Sequence, residues 1–192
     1  MHFRDLVTRT RSCRRFDGGF RVSEGMLHDL VELACYAPSA KNLQPIKYVG
    51  VTDPDRATDV FFCLSWAGYL DDWSGPEESE RPSAYLVMLG DSALSPFIAC
   101  DSGIAAQTIL LGATDMGLGG CIVGSVDHVR LRLLLGITGR LDILFVIALG
   151  KPVETIVIDQ MAEGDDVRYF RDSHDIHHVP KRMVEDVLLR VH

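Results

Sequence analysis

Positive charge is scarce in this chain: 19 Lys and Arg against 27 Asp and Glu leave a formal net charge of −8 over 192 residues. Nucleic-acid and anionic-membrane surfaces both need a dense positive field, so a broad interface of either kind is excluded. No apolar run is long enough to cross a bilayer, and Arg4 and Asp5 interrupt the stretch where a signal-peptide core would stand. Secretion and membrane insertion are therefore not expected, and a cytoplasmic location is. The cysteines (Cys13, Cys35, Cys63, Cys100, Cys121) are odd in number, widely spaced and mostly flanked by apolar residues, with no C-x-x-C pair. That pattern argues against a disulfide framework, a zinc ribbon and a dithiol redox centre, and fits reduced thiols. Internal repeats, low-complexity tracts and an interdomain linker are also missing, so residues 1–192 are expected to form one domain.

What is present is a globular composition, 47% apolar and 24% charged, with clear periodicities. A helix is expected to start at Ser23 as N-cap, with Val22 and Leu27 placed as a hydrophobic staple, and to end before Pro38. Its Met26, Leu27, Leu30, Val31, Ala34 and Cys35 share one face. Ile46–Val51 reads as a strand, Asp53–Trp66 as a helix, Ala84–Leu89 as a strand and Ala99–Met116 as a helix buried on most sides. Cys121–Val123 follows as a short strand, Asp127–Leu135 as a helix and Leu141–Leu149 as a strongly apolar strand. Asp165–His178 is polar and irregular, and Pro180 is expected to open a last helix with Val184, Val187, Leu188 and Val191 on one face. That face has two destinations open to it, the chain's own core or a second subunit. Asp71–Pro82, rich in Asp, Glu, Gly, Ser and Pro, reads as an exposed loop, either a solvated connection or a substrate lid.

Against the acidic background, the turn Thr10-Arg11-Ser12-Cys13-Arg14-Arg15-Phe16 concentrates cations and a hydroxyl. Arg11, Ser12 and Arg14, with Lys181 and Arg182 far along the chain, are of the types that bind phosphate; ordinary solvated charges are the other reading. Gly117–Gly124 is no dinucleotide fingerprint, because its glycines follow a helix where that motif requires a strand. It reads instead as a helix stop followed by backbone that can approach a flat ligand closely. His174, His177 and His178, with Asp172 and Asp175, have no metal-ligand spacing and read as a polar loop. No serine sits in a nucleophile elbow, which leaves a hydrolase a weak rival.

The T-R-S-C-R-R-F turn, A-P-S-A-K-N-L-Q-P, the Asp101–Met116 helix leading into G-L-G-G-C-I-V-G, V-I-A-L-G-K-P and H-H-V-P-K-R follow one another along nearly the whole chain. In that order and spacing they resemble the FMN-dependent nitroreductase family. The resemblance implies an α+β fold, a central mixed or antiparallel sheet flanked by helices, in an intertwined homodimer with FMN at its interface. It implies Arg11, Ser12, Cys13 and Arg14 at the phosphate, ribityl chain and pyrimidine edge, with Lys181 and Arg182 reaching toward the phosphate. Pro38, Ser39, Ala40 and Asn42 would come from the partner subunit. Cys121, Ile122, Val123 and Gly124 would line one face of the flavin ring, with the Val123 or Gly124 amide near N5. Thr10 departs from the family, which often carries an arginine there, leaving Arg9 or Arg11 to supply the charge; Ile46 stands where an aromatic often follows Gln-Pro.

Electrons would then pass from NADH or NADPH through FMN to a small acceptor such as a nitroaromatic or quinone. The chemistry would be borne by the flavin, with no catalytic side chain and no metal required. A cation such as Arg14 beside N1 and C2=O would stabilise the reduced ring and raise its potential. Trp66, Tyr69, Trp73 and Arg81 are candidate contacts on the substrate side, core packing being the other reading for Trp66. Two rivals stay open: the same fold with reductive dehalogenation or flavin-fragmenting oxidation, and a non-catalytic flavin-binding dimer.

Overall fold

The ten-residue, mostly apolar strand Leu141–Gly150 (β4) and the fully buried run Ala84–Asp91 (β2) pair antiparallel and form the centre of the molecule, described here for residues 2–192 by a computed structural model. Ile46–Val51 (β1) pairs with the outer edge of β2 and Gly119–Val123 (β3) with the outer edge of β4. The resulting four-stranded sheet has the order β1-β2-β4-β3, antiparallel throughout. A strand turns successive side chains to opposite faces, so β2 and β4 feed two separate cores. Tyr85, Val87, Leu89, Val146 and Ala148 join the cluster containing Val60 and Phe61 of Pro54–Phe61 (α3) and Leu131 of His128–Leu134 (α5). Leu86, Met88, Ile147 and Leu149 join the cluster of Glu24–Cys35 (α2) and Ile98–Asp115 (α4). Helices thus cover both faces of an antiparallel sheet, an α+β architecture.

α2 begins as its sequence requires: the Ser23 hydroxyl accepts from the Met26 N–H, and Val22 and Leu27 are both buried in one cluster. α2 and α4 approach closely because Gly112 has no side chain; a Cβ there would lie 2.5 Å from Leu33 Cδ1 and 3.1 Å from Leu30 Cδ2. A further helix, Phe3–Arg9 (α1), lies against α4, and its C-cap Thr10 is buried with its hydroxyl 2.9 Å from that of Thr114. Thr10 therefore does a structural job at the position where the sequence suggested a lost cation.

Three elements depart from the sequence reading. α3 stops at Phe61 and does not run to Trp66. The backbone beyond it pairs with residues 125–127 instead: Leu64 bridges Val126, the Ser65 N–H donates to Ser125 O at 2.9 Å, and the Asp127 N–H donates to Cys63 O at 2.8 Å. Asp71–Pro82 is not loose over its second half. A short 3-10 turn at Glu78–Glu80 is pinned by the Phe16 N–H to Glu80 O and the Gly18 N–H to Ser79 O, both 2.9 Å, and by Arg15 on the Glu80 carboxylate at 2.6 Å.

Pro180, finally, opens no helix. Ile156–Met161 (β5), Phe170–Arg171 (β6) and His177–Arg182 (β7) form a second, three-stranded sheet with β7 in the middle, and Pro180 sits in β7 opposite Asp159. β6 reaches only His177 and His178, so Pro180 lies where one edge of β7 is open, a setting in which a residue without an N–H is tolerated. The last helix is the single turn Val184–Val187 (α6). Its Val184 and Val187, with Leu188 and Val191, are exposed, so the apolar face does not dock on the chain's own core.

Leu30 is fully buried at the α2–α4 crossing. Leu30→Ala is expected to lower unfolding stability by about 2–5 kcal/mol, the range for deleting a core leucine side chain, measured as a reduced midpoint in urea.

Candidate functional site

Residues 12 and 13 run parallel to the start of β3: Ser12 bridges Gly120, and the Cys13 N–H donates to Gly120 O at 2.9 Å. Gly120 is itself tightly seated in the sheet, since a Cβ there would lie 2.7 Å from Leu110 Cδ2 and 2.8 Å from the Ala148 carbonyl oxygen. The bridge sets Arg14 beside Cys121–Gly124, and together they line a pocket of about 160 Å³ completed by Ser65–Gly68, Ser125 and Tyr169. Ile122 is exposed, and a Cβ on Gly124 would meet nothing within 4 Å, so the strand presents an open face at this point. Burial pushes the Cys13 and Cys121 thiols up, so neither is a ready nucleophile.

The guanidinium of Arg14 lies 4.6 Å from the centre of the Tyr169 ring and 3.3 Å from His177 Nε2. His177 is fully buried, and burial depresses its pKa to about 4, outweighing the buried carboxylate of Glu154; Arg14 and Arg171 depress it further. Arginine only donates, so Nε2 of the neutral ring faces it as acceptor and the proton sits on Nδ1, which has no partner. Glu154, with its side chain 1% exposed, accepts from the Arg14 backbone N–H and from Arg171 Nη2 at 2.9 Å. Arg171 in turn lies over the Trp73 ring at 4.4 Å. Through Glu154 the arginine turn is joined to β6 and the segment before it.

The candidate aromatic residues divide. Trp66 is buried and stacked on Phe61, ring centres 5.6 Å apart, yet it also lines the Arg14 pocket, and its Nε1 has no hydrogen-bond partner. Tyr69 packs on Tyr169 at 5.0 Å. Trp73 serves Arg171, and Arg81 points elsewhere, over Phe61 and into a separate cavity.

Several expected cofactor contacts are not gathered around Arg14 in one chain. Arg11 caps α1, its guanidinium donating to the carbonyls of Val7 and Thr10, and it lines a different pocket with Thr8, Thr114 and Ile156. Burial lowers its pKa. Lys181 and Arg182 stand exposed at the far end of β7, four and five residues beyond His177. Pro38 and Ser39 line a third pocket, of about 150 Å³, whose other walls include residues of α2, β1 and α4. There Asp101 accepts from the Ser39 hydroxyl at 2.7 Å and from the Ala40 N–H at 3.0 Å, and Lys41, Asn42 and Gln44 have positive φ. Sequence reasoning missed Tyr169, Glu154 and Arg171 and set His177 in a loop. The adjacent His177-His178 pair at the start of β7 was the only local signal.

Comparison with known proteins finds matches over most of the chain. The nitroreductase family model matches residues 7–69 and 80–151. The chain is 27% identical to an oxygen-insensitive NADPH nitroreductase of Helicobacter pylori, over 78% of this chain and 87% of that protein. It is 26% identical to an NADPH-flavin oxidoreductase of Vibrio harveyi, over 77% of this chain and 65% of that protein. Among solved structures, a nitroreductase family protein of Clostridium novyi superposes with a TM-score of 0.68 at 22% identity, over 80% of this chain and 86% of that one.

The neutral, buried His177 has a measurable consequence. Its folded pKa lies below the ordinary value of 6.5, so between about pH 6.5 and pH 4 the unfolded chain binds the proton more readily, and stability falls as pH falls through that window. The His177 imidazole resonance is expected to titrate near pH 4 in NMR, and a midpoint near 6.5 would contradict the burial described.

Proposed function

Because this chain belongs to the nitroreductase family and is accordingly an NAD(P)H-dependent flavin oxidoreductase, we propose that its flavin is FMN, held between two copies of the chain, and that the acceptor is a small molecule such as a nitroaromatic or quinone. The observation that carries this reading is the Ser12–Gly120 bridge, which fixes a cation, Arg14, against the open backbone of Cys121–Gly124.

The residues present fit a flat, anionic aromatic group. Gly124 leaves one face unobstructed, the edge of β3 beyond the Ser12 bridge pairs with no other strand among the described residues, and Trp66, Tyr69 and Tyr169 supply aromatic sides. A bound flavin would supply the electron transfer itself, accepting a hydride and passing electrons on. Arg14 would orient the ring and stabilise negative charge on its pyrimidine edge, and neutral His177 would hold the guanidinium without cancelling its charge. The Ser12 and Cys13 backbone, fixed to Gly120, would set the distance of the arginine turn from β3.

A pocket of about 160 Å³ is below the roughly 300 Å³ at which small-molecule sites begin, so one chain supplies part of a site. The Pro38–Asn42 loop of a second copy would supply the rest, stiffened by Asp101, with the exposed apolar residues after β7 packing on that copy. Lys181 and Arg182 would then reach a phosphate from outside the Arg14 pocket.

The purified protein is expected to be yellow, to release FMN on heating, to bleach with NADH or NADPH under anaerobic conditions and to recover colour on adding a nitroaromatic. Arg14→Ala should lower flavin affinity by about ten- to a hundredfold, the worth of a hydrogen bond to a charged group. Arg11→Ala should retain more flavin, because that guanidinium is engaged with α1. Full flavin occupancy in Arg14→Ala would refute the placement.

A further inference from the structure

A cavity of about 610 Å³, lined in part by Phe61, shares no lining residue with the Arg14 pocket. Its floor is Tyr85, the second residue of β2, which is fully buried and whose hydroxyl has no hydrogen-bond partner. Its wall carries Arg81. That guanidinium lies 4.2 Å from the centre of the Phe61 ring and 5.2 Å from that of Phe62, and its buried Nε is also without a partner. Among the described residues no carboxylate pairs with Arg81; the adjacent Glu80 is engaged by Arg15 at 2.6 Å. The Ser83 hydroxyl, accepting from the Val22 N–H at 3.1 Å, keeps its own proton to donate.

A buried donor left without a partner costs about 1–3 kcal/mol, more when it is charged, and the two residues that carry such donors both line this one cavity. An arginine fork beside a tyrosine hydroxyl suits a carboxylate. The carboxylates of Glu77 and Glu78 also line the cavity and would oppose a doubly charged group such as phosphate. Ala57 and Phe61 of α3 and Pro82 make the remaining surface apolar and partly flat. We propose that this cavity is a second binding site, separate from the Arg14 pocket, for a small organic monocarboxylate with a flat apolar body, its carboxylate held by Arg81 and Tyr85.

The test is isothermal titration of the purified full-length protein, with its native cofactor, using benzoate, benzamide and inorganic phosphate as probes. Benzoate is expected to bind saturably, and benzamide and phosphate at least tenfold more weakly. Tyr85→Phe should weaken benzoate about tenfold, the loss of one hydrogen bond to a charged group. Arg81→Met should abolish binding, Arg81→Lys should retain part of it, and Arg14→Ala should leave it unchanged. No saturable benzoate binding, equal binding of benzamide or phosphate, or loss of binding in Arg14→Ala would each overturn the proposal. Should Arg81→Met fail to fold, Tyr85→Phe decides alone, and unaltered benzoate affinity there overturns it.

Discussion

One backbone hydrogen bond, from the Cys13 N–H to Gly120 O, holds together the parts of this protein that matter for chemistry. It lays an arginine-rich turn from the N-terminus along an edge strand formed more than a hundred residues later. Gly120 is pressed between Leu110 of α4 and the backbone of β4, so the depth of β3 in the sheet is set by the main core. The position of Arg14 relative to Cys121–Gly124 is inherited from that packing and does not depend on a mobile loop. Sites built on rigid elements in this way hold their geometry without a ligand.

A second layer of constraint comes from the C-terminal part of the chain. Glu154 is buried where an isolated carboxylate would be costly, and it is satisfied from two directions, by the Arg14 backbone and by the Arg171 side chain. His177 shares this environment and stays neutral, with arginines on two sides. His178, one residue on, points the other way, to Asp159 at 2.8 Å, and is raised chiefly by that hydrogen bond, so the two neighbouring histidines respond to pH in opposite senses. The small β5-β7-β6 sheet is thereby fastened both to the arginine turn and to itself.

Much of the fold was legible in the sequence because it rests on local rules. Ser23 caps α2, the segments read as strands at Ala84–Leu89 and Leu141–Leu149 become the inner strands β2 and β4, and the segment read as a buried helix at Ala99–Met116 becomes α4. The α3 end was misplaced because nothing local shows that residues 63–65 would pair with 125–127. Pro180 was misread because a helix-start signal and an open strand edge look alike in one dimension. The site was legible in part: the arginine turn and the glycine-rich strand could be named and do meet. Glu154, Tyr169 and Arg171 could not, since their roles come from tertiary contacts that no spacing encodes. Arg11 shows the converse, a cation that looks ligand-binding in the sequence and donates to the Val7 and Thr10 carbonyls at the end of α1.

The central claim is the proposed flavin site that each chain supplies only in part, with Arg14 and β3 lining one pocket and Pro38 and Ser39 another. Sedimentation velocity recorded at both a protein-absorbing and a flavin-absorbing wavelength tests this most directly. The account predicts that flavin travels only with a species of twice the 21.3 kDa chain mass, one flavin per chain, and that any monomer is colourless. Flavin sedimenting stoichiometrically with the monomer would contradict it.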